Sequence, residues 1–339
     1  MNSTPRPPTV TNTRGHPPEF QQLIRQKSEN FVGHKFVFAA INEFFHKCDS
    51  EALPPRADRG YFTIVGTPGS GKSAILAKYV TENPHVAYYN AQVEGKNRAD
   101  QFLTTICNQL LDHYPHVGAQ YVVPLPDNAT EGSWFLSLLL QKISDNLEAD
   151  RRLIIAIDAL DVIDHNSQPS GSNLFYLPRY LPERVYFLLT RRPFLRERSR
   201  LLIEAPSQIL DLGDYPEPDR DDVQGYIQQC LTPLTFSLKL RLAKGGTGMK
   251  EPHSRISPPL KRGAGGDLKS WLTTHHLTEE EFRQKLKAQS ENNFMYLSQI
   301  LPAIAEGFYS KPLQFEPLPP GLEAYYPSLS EIRDWGDSR

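Results

Sequence analysis

The sequence predicts an α/β fold, a three-layer domain on a parallel five-stranded sheet followed by a small helical module. Three observations predict it. Short apolar runs alternate with segments of helical periodicity from residue 61 to about residue 214, as expected of β–α–β units whose strands are buried on both faces. A glycine-rich turn, Gly66-Thr67-Pro68-Gly69-Ser70-Gly71, joins the first apolar run directly to a helical segment. Beyond residue 214 the strand-like runs stop and only helical patterning returns.

Taken in order, residues 1–20 are rich in Pro and Thr and are expected to be a disordered N-terminus. From Gln21 to Cys48 the pattern is helical, with Phe36, Phe38, Ala39, Ile41, Phe44 and Phe45 as its expected apolar face. A polar, Pro-containing connection, Ala52 to Arg59, leads to the first strand, Tyr61–Val65. The helix after the glycine-rich turn is expected over about Gly71–Thr81, ending before Pro84. His85–Asn90 reads as a second strand. Two amphipathic helices follow, one built on Phe102, Leu103, Ile106, Cys107, Leu110, Leu111 and Tyr114. The other is built on Trp134, Phe135, Leu138, Leu139, Ile143 and Leu147. Arg152–Ile157, Val185–Thr190 and Gln208–Leu212 complete the five strands. The expected domains are therefore 21–214 for the α/β domain, 215–310 for the helical module and 311–339 for a C-terminal tail. Within the module, helices are expected over Asp219–Leu231, Leu277–Gln289 and Phe294–Ala305. They are separated by a Gly-, Pro- and Lys/Arg-rich insertion at 238–269.

With 39 % hydrophobic residues and a formal net charge of −2, the composition suits a soluble globular protein and exerts no global pull on nucleic acid or membrane. The insertion carries eight basic and two acidic residues. It reads either as a surface insertion or as an arm for nucleic acid or another anionic partner. Cys48, Cys107 and Cys230 lack any C-x-x-C spacing and read as reduced core thiols. The N-terminus has no apolar signal region, and no run of 18 apolar residues occurs. The expectation is a cytoplasmic protein with no membrane span.

The chemistry begins at Gly66-Thr67-Pro68-Gly69-Ser70-Gly71-Lys72-Ser73. This is the P-loop pattern G-x-x-x-x-G-K-[ST], set between a strand and a helix. Its glycines let backbone N–H groups turn toward phosphate oxygens, Lys72 reaches the β- and γ-phosphates, and the Ser73 hydroxyl holds Mg²⁺. The helix N-terminus adds a positive end. The expected fold is thus that of a P-loop NTPase. Asp158 ends an apolar strand, where ligands bind in open parallel sheets. It reads as the Walker B carboxylate, or as a helix cap. Its neighbour is Ala159, where many ATPases of the additional-strand type carry a glutamate. Asp161 is the candidate general base, its alternative being a loop carboxylate of local structural use. Arg191 and Arg192 follow the next strand. They read either as γ-phosphate sensors or as partners of Asp158, Asp161 or Asp164. His275-His276, in a polar stretch, reads as solvated surface.

Phe31-Val32-Gly33-His34-Lys35, the P-loop, Asp158-Ala159-Leu160-Asp161 and Leu189-Thr190-Arg191-Arg192-Pro193 form one set with Asn293-Phe294-Met295-Tyr296-Leu297 and Leu318-Pro319-Pro320-Gly321-Leu322-Glu323-Ala324-Tyr325-Tyr326. The set resembles the STAND class of signal-transduction ATPases, the NACHT and NB-ARC relatives, and especially the nucleotide-binding domain of bacterial WD40-associated regulators. The resemblance implies a switch between ADP and ATP states, with assembly into rings or scaffolds that activate an effector. It implies a nucleotide set of Val32 and Gly33 beside adenine, then Gly66, Pro68, Gly69, Ser70, Gly71, Lys72, Ser73, Ala74 and Arg191. Asp158 and Ser73 would hold Mg²⁺, and Arg192 would be the sensor-1 arginine. The chain departs from the family at His34, where the family has Arg, and at Val162, where it has an acid. It also stops short of the winged-helix and repeat regions that follow in the family, which leaves a stand-alone domain, a fragment or a decayed copy as expectations. Three functions are carried forward. The first is an ATP/ADP switch with slow hydrolysis, whose partners are nucleotide, the protein itself or an effector, and not nucleic acid. The second is a DNA-associated ATPase resembling the origin-recognition branch of AAA+ proteins. The third is a non-catalytic nucleotide-bound scaffold.

Overall fold

The structure is a computed structural model, and it describes residues 15–29, 31–48, 58–118, 125–126, 128–148, 150–193, 200–231, 268–274, 276–290 and 293–305. The expected connection 52–59 for the most part, most of the insertion at 238–269, the tail at 311–339 and the Leu318–Tyr326 motif lie outside the described residues. The chain divides into two compact units. The first comprises residues up to Phe31, Lys35–Thr67 and Lys72–Asp214. The second comprises Val32–His34, Pro68–Gly71 and the chain from Tyr215 onward.

The first unit is an α/β domain on a five-stranded sheet: β1 (Gly60–Val65), β2 (Ala87–Asn90), β3 (Leu153–Asp158), β4 (Val185–Arg191) and β5 (Ser207–Asp211). The order across the sheet is β2-β3-β4-β1-β5, and every neighbouring pair is parallel. All residues of β1 and β2, and nearly all of β3 and β4, are buried. Side chains alternate between faces along a strand, so burial at successive positions means that both faces of the sheet are covered. That is why these strands read as unbroken apolar runs. β4 lies between β1 and β3, so the strand that ends in Arg191 separates the strand before the glycine-rich turn from the strand that ends in Asp158.

Around the sheet run α1 (Pro18–Ser28), α2 (Lys35–Cys48), α3 (Lys72–Glu82), α4 (Ala99–His113), the single turn α5 (Pro115–Gly118) and α6 (Trp134–Asn146). Phe20, Leu76, Tyr89, Phe102, Leu139, Ile155 and Phe187 belong to one continuous core. Two expectations are corrected here. The ordered chain starts before residue 21. His16 and Phe20 are buried, and Phe20 meets Tyr88 and Tyr89 edge-on at 5.6 and 5.5 Å, so α1 is held by aromatic packing despite its Pro-rich approach. In α2 the buried face is Val37, Ile41, Phe44 and Phe45, spaced by four, three and one residues. Ala39 is exposed and Phe36 and Phe38 are only half-buried, because the helix presents an i, i+4, i+7, i+8 stripe to the core.

The second unit holds α7 (Pro216–Leu231), α8 (Leu268–Thr274), α9 (Glu279–Ser290) and α10 (Phe294–Ala305). Its own core includes Val223, Ile227, Leu268, Leu272, Phe282, Leu286, Tyr296 and Ile300. The expected insertion overran its last two residues, because Leu268 opens α8 as a buried core residue although Gly- and Lys-rich sequence precedes it. α9 starts at Glu279 because Thr278 caps it. Thr278 Oγ1 accepts from Glu281 N at 3.2 Å, and the Glu281 carboxylate accepts from Thr278 N at 3.0 Å. This reciprocal capping box also holds the Glu281 carboxyl below its usual range.

Candidate functional site

In the first unit the candidate residues gather at the carboxyl ends of the central strands. Asp158 closes β3 and is almost completely buried. Its Oδ2 accepts from Asn90 Nδ2 at 2.8 Å, and its Oδ1 accepts from the Thr190 hydroxyl. Asn90 stands directly opposite Asp158 in the β2–β3 register. Thr190 is the residue after Leu189, the partner of Ile157. The two flanking strands thus each supply one donor that fixes the carboxylate plane. Thr190 Oγ1 in turn accepts from the backbone N–H of Ala159 at 2.9 Å. That bond accompanies a left-handed backbone at Ala159, φ 63°, which turns the chain sharply into the short 3₁₀ turn Leu160–Val162. Asn90 was missed in the sequence. Its only sign there is a polar side chain ending an apolar strand, as Asp158 and Thr190 do.

Asp161, in that turn, makes a two-point contact with Arg192. Its Oδ1 accepts from the Arg192 backbone N–H at 2.9 Å, and its Oδ2 pairs with Arg192 Nε at 2.9 Å. The guanidinium remains 41 % exposed while Asp161 is 12 % exposed, so the carboxylate is the anchored member of the pair. Of the two arginines, Arg192 is the one that pairs with Asp161. Arg191 and Asp211 flank the end of β1 on its two sides, both in register with Val65. Burial lowers the Arg191 pKa, opposed by the charges of Asp211 and Asp161. Asp211 is a second residue that sequence reasoning did not find, since an acid at the end of an edge strand carries no motif.

Lys72 opens α3, followed by Ser73 and Ala74. Its ammonium donates to the carbonyls of Gly66 at 2.6 Å and Thr67 at 2.8 Å. Burial pulls its pKa down from 10.5 to about 8, although Asp161, Asp158 and Asp211 act to raise it and Arg192 acts to lower it further. A half-desolvated ammonium among carboxylates and guanidinium is an electrostatic arrangement suited to an incoming anion.

In the second unit, Val32, Gly33, Pro68, Gly69, Ser70 and Gly71 lie with the helices. His34 is buried with φ 55°, and its backbone N–H donates to the Asp222 carboxylate at 2.5 Å. Its Nδ1 pairs with the same carboxylate at 3.0 Å, and its Nε2 lies 3.1 Å from the Ser70 carbonyl. Gly33 has φ +83°, and a Cβ there would collide with the Asp222 carboxylate. Val32 packs where a Cβ on Gly225 would come within 3.2 Å of it.

Among the described residues no group of three or more His, Cys, Asp or Glu side chains is arranged to hold a metal, and no helix is long and apolar enough to cross a membrane. Cys107 and Cys230 are buried free thiols, and burial raises the Cys107 pKa to about 12. His276 is exposed, and His275 lies outside the described residues.

A family model described as nephrocystin 3, N-terminal, matches residues 46–192, less than half of the chain. No curated protein matches the chain. Among solved structures it is similar to a chain in the structure of Drosophila ORC bound to DNA, with 14 % identity and a TM-score of 0.38. That match covers 85 % of this chain and 66 % of the solved one. The chain is an α/β protein with a five-stranded parallel sheet and a second, helical unit.

Proposed function

We propose that the protein is a nucleotide switch of the STAND type. It binds ATP and ADP, hydrolyses ATP slowly, and passes on the state of the nucleotide as a conformational change or as assembly with itself or an effector. In this reading Gly66, Pro68, Gly69, Ser70, Gly71, Lys72, Ser73 and Ala74 contact phosphates, and Val32 and Gly33 border the base. Asp158 and Ser73 hold Mg²⁺, and Arg191 and Arg192 read the γ-phosphate. Two hard oxygen ligands from the chain suit Mg²⁺, which keeps most of its shell for water and phosphate oxygens. The fit rests on the Asp158 carboxylate, which the Asn90 amide orients on one oxygen and the Thr190 hydroxyl on the other. Bound there, Mg²⁺ supplies charge neutralisation at the phosphates.

The observation that carries slow turnover is the two-point contact of Asp161 with Arg192. A general base must take a proton from water within hydrogen-bond reach. An acid committed through both oxygens to an arginine has first to release it. Hydrolysis and the freeing of the phosphate-reading arginine then become one event, which suits a switch better than a fast enzyme. The test is to denature the purified protein, identify the nucleotide released, and follow ATP turnover and particle size with MgATP added. Bound ADP, turnover well below about one per second and ATP-dependent growth in size are expected. Turnover at the rate of about ten per second usual for enzymes refutes slow switching, and failure to bind either nucleotide refutes the site.

A further inference from the structure

The outer face of the P-loop tip is held at three successive carbonyls, all by donors of the second unit. Asn293 Nδ2 donates to Pro68 O at 3.0 Å, and the Phe294 backbone N–H donates to Gly69 O at 3.0 Å. His34 Nε2 lies 3.1 Å from Ser70 O, which only accepts, so this nitrogen carries the proton. Behind His34 stands Asp222, bonded to both its ring and its backbone. The approach is close enough to require glycine on the loop. A Cβ on Gly69 (φ +82°) would collide with the Asn293 amide, and one on Gly71 (φ +91°) would come within 2.7 Å of His34 Nε2.

We infer that Asn293 and His34 are positioning residues for the phosphate-binding backbone, with Asp222 as the support of His34. A peptide unit is planar, and its C=O and the following N–H point in opposite directions. Fixing the carbonyls of Pro68, Gly69 and Ser70 therefore fixes the N–H groups of Gly69, Ser70 and Gly71, and turns all three away from the donors that hold the carbonyls. Three parallel N–H groups presented in a row form an anion-binding nest, and preorganising it removes an ordering cost from phosphate binding. Asn293, Phe294 and His34 thus set phosphate affinity without touching phosphate.

The inference rests on the nucleotide reading above, and the experiment separates the two. MgATP and inorganic pyrophosphate are titrated calorimetrically into the full chain, its Lys72→Ala variant and three grip variants. Asn293→Asp keeps the side-chain oxygen that accepts from Tyr296 N at 3.1 Å and caps α10, yet loses the donor to Pro68. His34→Leu loses the donor to Ser70, and His34→Gln restores an amide donor. His34→Leu should weaken both ligands about fivefold, the size of one hydrogen bond, with His34→Gln recovering most of the loss, and Asn293→Asp, which also brings a negative charge to the loop, should weaken them at least as much. Wild-type affinity in Asn293→Asp, which preserves the cap and so the fold, overturns the inference. If the wild type binds neither ligand and matches Lys72→Ala, the nucleotide reading itself falls, and the inference with it.

Discussion

Binding of a triphosphate at pH 8 should draw protons into the protein, and Lys72 is their destination. Its ammonium is pulled from 10.5 to about 8 by burial, so at pH 8 about half the molecules carry it neutral. A polyanion beside it restores the charged form. The expected uptake is about half a proton per nucleotide at pH 8, falling to about a tenth at pH 7. Calorimetric titration with MgATP in two buffers of different ionisation heat reads this number directly. Lys72→Arg is the control, since a guanidinium stays charged throughout and should take up none. The same shift has a stability sign. A lysine whose folded value lies below its unfolded one weakens the fold wherever it is charged. That cost is present in full below pH 8 and fades as pH rises from about 8 toward 10.5. From pH 7 to 9.5 the nucleotide-free wild type should gain about 2 kcal/mol relative to Lys72→Arg in urea titrations. Tight binding at pH 8 with proton uptake below about a tenth would refute the argument that burial, and not the surrounding carboxylates, dominates at Lys72.

Three further outcomes follow from the geometry. Asp158→Asn should lose the Mg²⁺-dependence of nucleotide binding while still binding nucleotide, and an undiminished Mg²⁺ response in calorimetry would count against the metal role. Ala159→Gly should stabilise the protein by about 1 kcal/mol, because the left-handed backbone at φ 63° costs an alanine about that much and a glycine nothing. An unchanged urea midpoint would show that the turn relaxes. Burial, aided by His16 and His85, lowers the His113 pKa against the opposing influence of Asp112 and a backbone bond from His85. The neutral ring is the folded form, so stability is complete above about pH 6.5 and declines as pH falls through that value toward the lowered one. His113→Gln should flatten this acid limb in thermal melts between pH 5 and 8, and an identical slope in both proteins would assign the limb elsewhere.

The five strands were legible because a parallel sheet buried on both faces demands unbroken apolar runs. The P-loop was legible because its chemistry demands named residues at fixed spacing. The place of Asp158 at the end of a strand was readable from the apolar run before it. The order β2-β3-β4-β1-β5 was not, since neighbours in the sheet are joined by crossovers whose course leaves no local pattern. For the same reason the contact between Asp161 and Arg192, 31 residues apart, appeared only as one alternative among several. Asn90 and Asp211 escaped because a lone polar residue closing a strand has no signature until its neighbour across the sheet is known. The start of α1 and the core role of Leu268 were hidden by composition, because Pro- or Gly-rich sequence argues against order until an aromatic or leucine finds a buried seat.

The two margins of the sheet differ in a way that bears on how the protein keeps to itself. Among the described residues each margin bonds a strand on one side only, but β2, at one margin, is wholly buried, whereas β5, at the other, leaves Ile209 57 % exposed. An open margin carrying an apolar residue is a template on which another extended chain can add by backbone pairing, wanted or not. Self-association of this protein in concentrated solution should therefore begin at β5, and Ile209→Lys is the substitution that would discourage it.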